Sequence, residues 1–216
     1  MIAIFDYGAG NLRSVENTLA EIGAEIGAEY CIVRDAAGLR EASEIILPGV
    51  GHFGQMMRAL DDLDVRAALL ERIRAGVPFL GICLGLQALF ESSEEAPEVR
   101  GFGLFKGIVR RFPAGVRTPH MGWNQIDPRC DSRLLAGLTP GTYTIFMHSY
   151  YAPEVAVTAA TCTYGVRYTA ALECENIFGV QFHPEKSGAA GLRVMRNFVE
   201  LKGRGRLLAG SRTNHL

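Results

Sequence analysis

Four short apolar runs constrain this chain most: "IAIF" (2–5), "YCIV" (30–33), "EIILPG" (44–49) and "FLGIC" (79–83). Each has the length of a strand, and helical spacing fills most of the gaps between them. Leu12, Val15, Leu19 and Ile22 follow the first run at helical offsets, after a turn rich in small residues, "DYGAGN". Helical patterns cover Met56–Leu60 and Val65–Ile73, and Gly76 and Pro78 stop the second of them before "FLGIC". Runs apolar on both faces, alternating with helices, predict a parallel sheet covered on both sides, an α/β fold. "LGLQALFE" (84–91) is predicted to open a further helix.

The second half changes character. "GLFKGIVRRF" (103–112), "GWNQI" (122–126), "TYTIFMHSYY" (142–151), "VAVTAATCTY" (155–164), "RYTAALEC" (167–174) and "IFGVQFH" (177–183) are strand-like and separated by turn residues. They are expected as antiparallel strands added to the α/β core. "GAAGLRVMRNFVELK" (188–202) reads as a closing helix. We expect one domain over residues 1–202 and a polar, frayed tail over 203–216. The tandem "EIGAEIGA" (21–28) is too short for a solenoid and reads as an extended helix-to-strand connection.

The net charge of −1 gives no basic balance that would suit nucleic acid or an anionic membrane. The N-terminal run has no basic region or small-residue cleavage site before it, so it is expected to be a strand and the protein cytoplasmic. The cysteine count, five, is odd, with no CxxC pair. Reduced thiols are therefore expected, without a disulfide framework or a zinc site. A buried small hydrophobe is the plain reading for Cys31, Cys130, Cys162 and Cys174.

Cys83 is different. "GICLGLQ" (81–87) places it between Gly81 and Gly85, at the end of a strand and the start of a predicted helix. That is the cysteine form of a nucleophile elbow. The bend projects the thiol from the sheet, and the first N–H groups of the following helix favour a thiolate and an oxyanion. A structural cysteine in a glycine-rich turn is the alternative. A nucleophilic thiol needs a base. Among the histidines His52, His120, His148, His183 and His215, the tail residue His215 is set aside, and for the first three a hydrogen-bonded structural histidine or a loop residue is the stronger reading. His183 ends an apolar run and is followed by Pro184 and Glu185, where the chain must turn. Imidazole and carboxylate are thus presented together at a strand end, although a surface role for Glu185 beside Lys186 reads equally simply. Spacing alone does not bring residues 83 and 183 together.

"PGVG", "GICLGLQ" and "GVQFHPEKS", in this order, resemble the class I glutamine amidotransferases. "DYGAGNLRSV", "LPGVGHFG", "FESSEEAP", "PHMGWNQI", "HSYY" and "HPEKS" are similar, more finely, to the glutaminase subunits of imidazole glycerol phosphate synthase. The likeness runs from Ile2 to about Leu201. It implies a flavodoxin-like fold and glutamine hydrolysis through a cysteinyl thioester. Cys83 would be the nucleophile, His183 the acid and base, and Glu185 its orienting carboxylate. The oxyanion hole would form at Leu84 and the loop near Val50 and Gly51. Gly49, Gln87, Glu95, Ser149 and Tyr150 would bind L-glutamine, though Glu95 reads equally as a solvated charge. No cofactor is implied.

The resemblance also implies a heterodimer with a (β/α)8-barrel cyclase, which consumes the ammonia to form imidazole glycerol phosphate and AICAR in histidine biosynthesis. Asn11, Trp123 and Lys186 would face that partner. The rivals are the glutaminase of another synthase, a non-catalytic subunit on the same fold, and a cysteine peptidase or γ-glutamyl hydrolase. "MGWN" and "HPEKS" argue against the first, the intact Cys–His–Glu set against the second, and the "MGWN" surface against the third.

Overall fold

The computed structural model describes residues 1–8 and 12–201. Asn11 and the tail 203–216 lie outside the described residues. Strands β1 (Ile2–Phe5), β2 (Tyr30–Val33), β3 (Glu44–Gly49) and β4 (Phe79–Cys83) form where the four apolar runs predict them. Between them lie α1 (Leu12–Ile26), α2 (Ala36–Glu41), α3 (Phe53–Asp62) and α4 (Arg66–Arg74). Because strand side chains alternate, each strand feeds two cores. Ile2, Ile4, Ile46, Leu80 and Ile82 pack with Val15, Leu19 and Ile22 of α1 on one side. Ala3, Phe5, Ile45, Leu47 and Phe79 pack with α2, α3 and α4 on the other.

The glycine repeat closes α1. Gly27 adopts φ +70° and its N–H bonds the Gly23 carbonyl, a left-handed helix end. A Cβ on Gly23 would stand 2.6 Å from the Ala28 carbonyl oxygen, so the first glycine of the repeat makes room for the returning chain.

Downstream come β5 (Phe90–Ser93), β6 (Phe105–Arg111), β7 (His120–Pro128), β8 (Thr142–His148), β9 (Tyr150–Tyr151), β10 (Thr158–Tyr164), β11 (Val166–Cys174), β12 (Ile177–Val180) and the closing helix α6 (Gly188–Glu200). The main sheet has nine strands in the order β2-β1-β3-β4-β12-β11-β10-β7-β8, and β5-β6-β9 form a smaller one. Helix α6 joins α1 on the first face.

Several expectations change. Of the four cysteines other than Cys83 only Cys162 is buried, Cys130 being exposed and Cys31 and Cys174 half-buried, and most of the repeat at 21–28 lies inside α1 and not in a connection. The helix after Cys83, α5, is one turn, Leu84–Gln87, rather than a run to residue 91. The carbonyls of Ala88, Leu89 and Phe90 bond to N–H groups of Phe102, Leu104, Phe105 and Gly103, which draws the chain into β5. "TYTIFMHSYY" divides at Ser149 into β8 and β9, which enter different sheets. Finally, β12 is not simply another antiparallel strand. A two-residue turn at Glu175 and Asn176, with Glu175 at φ +52°, makes it antiparallel to β11, but its other edge runs parallel to β4.

That insertion positions everything that follows. Gly179 sits opposite Gly81 and Val180 opposite Ile82, so the carboxyl ends of β4 and β12 lie side by side. In an open parallel sheet this edge is where sites form.

Candidate active site

Cys83 ends β4 at φ +55° and ψ −103°, a conformation that L-residues rarely adopt and that costs about 1–3 kcal/mol. Close glycine contacts hold the bend. A Cβ on Gly81 would lie 2.4 Å from the Gly85 carbonyl oxygen, and one on Gly85 only 2.0 Å from that of Leu47. Because α5 is a single turn, its axial dipole is short. The electrostatic help it offers lies in its first backbone N–H groups.

On the neighbouring strand end, His183 Nδ1 pairs with Glu185 Oε1 at 2.8 Å, and both side chains are almost fully buried. Pro184–Lys186 forms a 3₁₀ turn that folds Glu185 back onto the ring. His183 Nε2 makes no hydrogen bond of acceptable geometry. Burial alone would push this imidazole down, but the neighbouring Cys83 sulfur and Glu185 together outweigh burial and push it up to about 10. Sulfur and ring thus interact across a bond not yet formed, as is common before substrate binds.

A cavity of about 170 Å³ opens over these groups, lined among others by Val50, Gly51, Cys83, Leu84, Gln87 and His183. Glu95, Ser149 and Tyr150 also line it. Glu95 is not a freely solvated charge, because its Oε2 accepts from the Phe53 N–H at 2.7 Å. Gly49 is not among the lining residues. Its backbone packs on the elbow, where a Cβ would meet Leu84 Cβ at 2.8 Å. The Val50 N–H, expected at the oxyanion hole, donates to the Tyr7 hydroxyl at 3.2 Å.

The structure adds residues the sequence reading did not single out. Gln181, fully buried, donates from Nε2 to Cys83 Sγ at 3.6 Å. The signal for it was a polar residue inside the apolar run "IFGVQF". His148 lines the cavity and its Nδ1 bonds the Tyr150 carbonyl at 2.8 Å. That bond is local, two residues along the chain, whereas its Nε2 meets the Tyr168 hydroxyl of β11 at 3.3 Å.

The sequence pattern of the family described as "Glutamine amidotransferase class-I" matches residues 3–201. The chain belongs to this family. It is 52% identical over 202 residues to "Imidazole glycerol phosphate synthase subunit HisH" of Methanothermobacter thermautotrophicus, covering 93% of this chain and 98% of that protein. Identity to the protein of the same name from Deinococcus radiodurans is 47%, over 91% of this chain and 92% of that one. Among solved structures, "Crystal structure of glutamine amidotransferase" has a TM-score of 0.72 at 19% identity, covering 94% of this chain and 98% of that one. "Structure of PurLQS from Thermotoga maritima" has a TM-score of 0.71 at 20% identity, covering 93% and 98%. These two likenesses concern the fold.

In this class-I amidotransferase, the face beside the cavity is apolar. Trp123 is 56% exposed, and Met121, Tyr143 and Met147 share its exposure. The β7–β8 register places Met121 opposite Met147 and Trp123 opposite Ile145, so these side chains form one patch. Lys186 lies half-buried in the turn that carries Glu185.

The buried histidines make stability depend on pH in two directions. Burial pushes His120 down to about 4 and His148 down to about 3. The unfolded chain therefore takes up their protons first, and stability falls as pH drops from about 6.5 through these values. His183, raised to about 10, contributes fully below about 6.5 and loses its contribution as pH rises towards 10. Urea unfolding between pH 4 and 10 is expected to show maximal stability near pH 6.5. Glu185→Gln should flatten the alkaline decline, and an unchanged alkaline limb in that variant would contradict this account.

Proposed function

We propose that Cys83, His183 and Glu185 carry glutamine hydrolysis in two acyl-transfer steps. The observation that carries this reading is the juxtaposition of a strained Cys83 with a carboxylate-held His183 on parallel strand ends. The Cys83 thiolate adds to the side-chain amide carbon of L-glutamine. His183 protonates the departing ammonia, and the thioester forms. Water, deprotonated by His183, then adds to the thioester and releases glutamate and the thiolate. Both tetrahedral intermediates carry an oxyanion, for which the Leu84 N–H and the Val50–Gly51 loop are the donors, the Val50 N–H joining only once it leaves the Tyr7 hydroxyl. Losing one such donor costs about a hundred- to thousandfold. Gln87, Ser149, Tyr150 and the half-buried Glu95 carboxylate bind glutamine at the cavity wall, with Glu95 facing its α-ammonium group. Gly49 supports this wall from behind.

The relatives' names describe a synthase subunit, and the apolar patch at Trp123 supports such an assembly here. We read residues 1–202 as the glutaminase unit of a cytoplasmic heterodimer. Its (β/α)8-barrel cyclase receives the ammonia for imidazole glycerol phosphate and AICAR formation. Asn11, Trp123 and Lys186 face that partner. Among the described residues no helix is long and apolar enough to cross a membrane. The test is co-purification with a cyclase barrel and assay of glutamate release with the barrel's nucleotide ligand present. Trp123→Ala is expected to weaken that complex about tenfold or more, since exposed aromatic anchors dominate interfaces. Titration by calorimetry measures it, and unchanged affinity would remove Trp123 from the interface.

A further inference from the structure

A continuous hydrogen-bonded array runs from β7 to the Cys83 sulfur, and its donors and acceptors can be assigned from both ends. At one end, Asn124 Oδ1 accepts from the Gln125 N–H at 2.8 Å, so Asn124 Nδ2 must face His120 Nε2, at 3.3 Å, and the Thr163 carbonyl. His120 Nε2 therefore accepts, and His120 Nδ1 carries the hydrogen given to the Tyr168 hydroxyl at 3.1 Å. Tyr168 donates to His148 Nε2 at 3.3 Å, leaving the His148 hydrogen on Nδ1.

The other end gives the same answer. The Tyr150 carbonyl can only accept, and it receives His148 Nδ1 and Gln87 Nε2, each at 2.8 Å. Gln87 Nε2 also donates to Gln181 Oε1 at 3.1 Å. The Gln181 carboxamide is thereby oriented with its NH₂ group towards Cys83 Sγ, 3.6 Å away. Rings clamp the array: His120 is stacked between Tyr164, at 3.9 Å, and Phe146, at 4.8 Å. Donation converges on the Tyr150 carbonyl from both sides, so the array cannot pass a proton along its length. It can only hold positions.

We propose that Gln181 is a further residue of the reaction site, whose side-chain amide donates to the Cys83 sulfur and stabilises its thiolate. The array from Asn124 to Gln87 fixes that amide's orientation. The inference rests on Cys83 being the nucleophile. It differs from the roles of His183 and Glu185, because Gln181 is neutral and exchanges no proton. A buried amide donor beside a sulfur favours the ionised form, since hydrogen bonds to charged groups are the stronger ones.

The test is the pH dependence of Cys83 alkylation by iodoacetamide in the full chain without glutamine, read at the Cys83 peptide because the chain has five cysteines. The thiolate is the reacting form, so the rate reports the thiolate fraction. In Gln181→Met the midpoint of the profile is expected to rise by about one pH unit, so that on its rising limb the rate falls about tenfold. Loosened packing would have the opposite sign, exposing the buried sulfur and speeding its alkylation. A Gln181→Met profile that superimposes on wild type, or a faster rate, overturns the proposal. If that variant does not fold, Gln87→Met removes the group that orients the amide, and its profile must shift in the same direction. Superposition there overturns the proposal equally. Glutamine hydrolysis by a Cys83→Ala variant would instead overturn the nucleophile, so the two failures are distinguishable.

Discussion

Replacing Cys83 by alanine is expected to lower glutamine hydrolysis at least about a thousandfold while leaving assembly with the partner intact. The size of the effect follows from the chemistry. Without sulfur no thioester forms, and His183, Glu185 and the oxyanion donors are left to direct a water that the site is not shaped to position. Removing the nucleophile from a comparable acyl-transfer site costs about a millionfold, with binding and oxyanion donors accounting for the residue. Cys83 is buried, so alanine should leave the exposed Trp123 patch unaltered. Glutamate release measured in the assembled complex decides the matter. Activity within tenfold of wild type would remove Cys83 from the mechanism.

The second large effect is structural. Gly85→Ala places a Cβ 2.0 Å from the Leu47 carbonyl oxygen, an atom of the sheet's own backbone in β3. No rotamer relieves that contact. The elbow must move away from β3, or β3 must shift within the sheet, and either disturbs the alignment of Cys83 with His183. Overpacking of this kind costs about 1–3 kcal/mol and occasionally more, and backbone-on-backbone contact belongs at the upper end. We expect a loss of about 3 kcal/mol in urea unfolding, with glutamine hydrolysis falling at least about a hundredfold in the protein that remains folded. A change below about 0.5 kcal/mol, the level of an ordinary surface substitution, would show that the elbow tolerates the methyl group. By contrast, Gly51→Ala meets nothing within 4 Å and is penalised only by its φ of +96°.

β1 to β4 form where their apolar runs stand, because burial on both faces leaves an unmistakable pattern in the residues themselves. Cys83 and His183 were legible as an elbow and a strand end for the same local reason. The length of α5 was not. "LGLQALFE" has helical spacing, but the carbonyls of Ala88 to Phe90 find partners at residues 102–105, and that competition is invisible in a single window. Glu95 likewise stood even between a substrate contact and a solvated charge until its bond to the Phe53 N–H placed it at the cavity wall.

What the sequence determined by itself was therefore local: the strands, the strained thiol between glycines, the imidazole–carboxylate pair two residues apart, and the ordered motifs of a class-I glutamine amidotransferase. Tertiary structure decided what meets what. Inserting β12 beside β4 converts a separation of a hundred residues into neighbouring strand ends. It thereby aligns His183 with Cys83 and brings Gln181 to the sulfur. The physical reason is that a strand has two edges. The turn at Glu175 specifies the pairing of one edge with β11, but the other edge is chosen only when the whole sheet assembles and buries it.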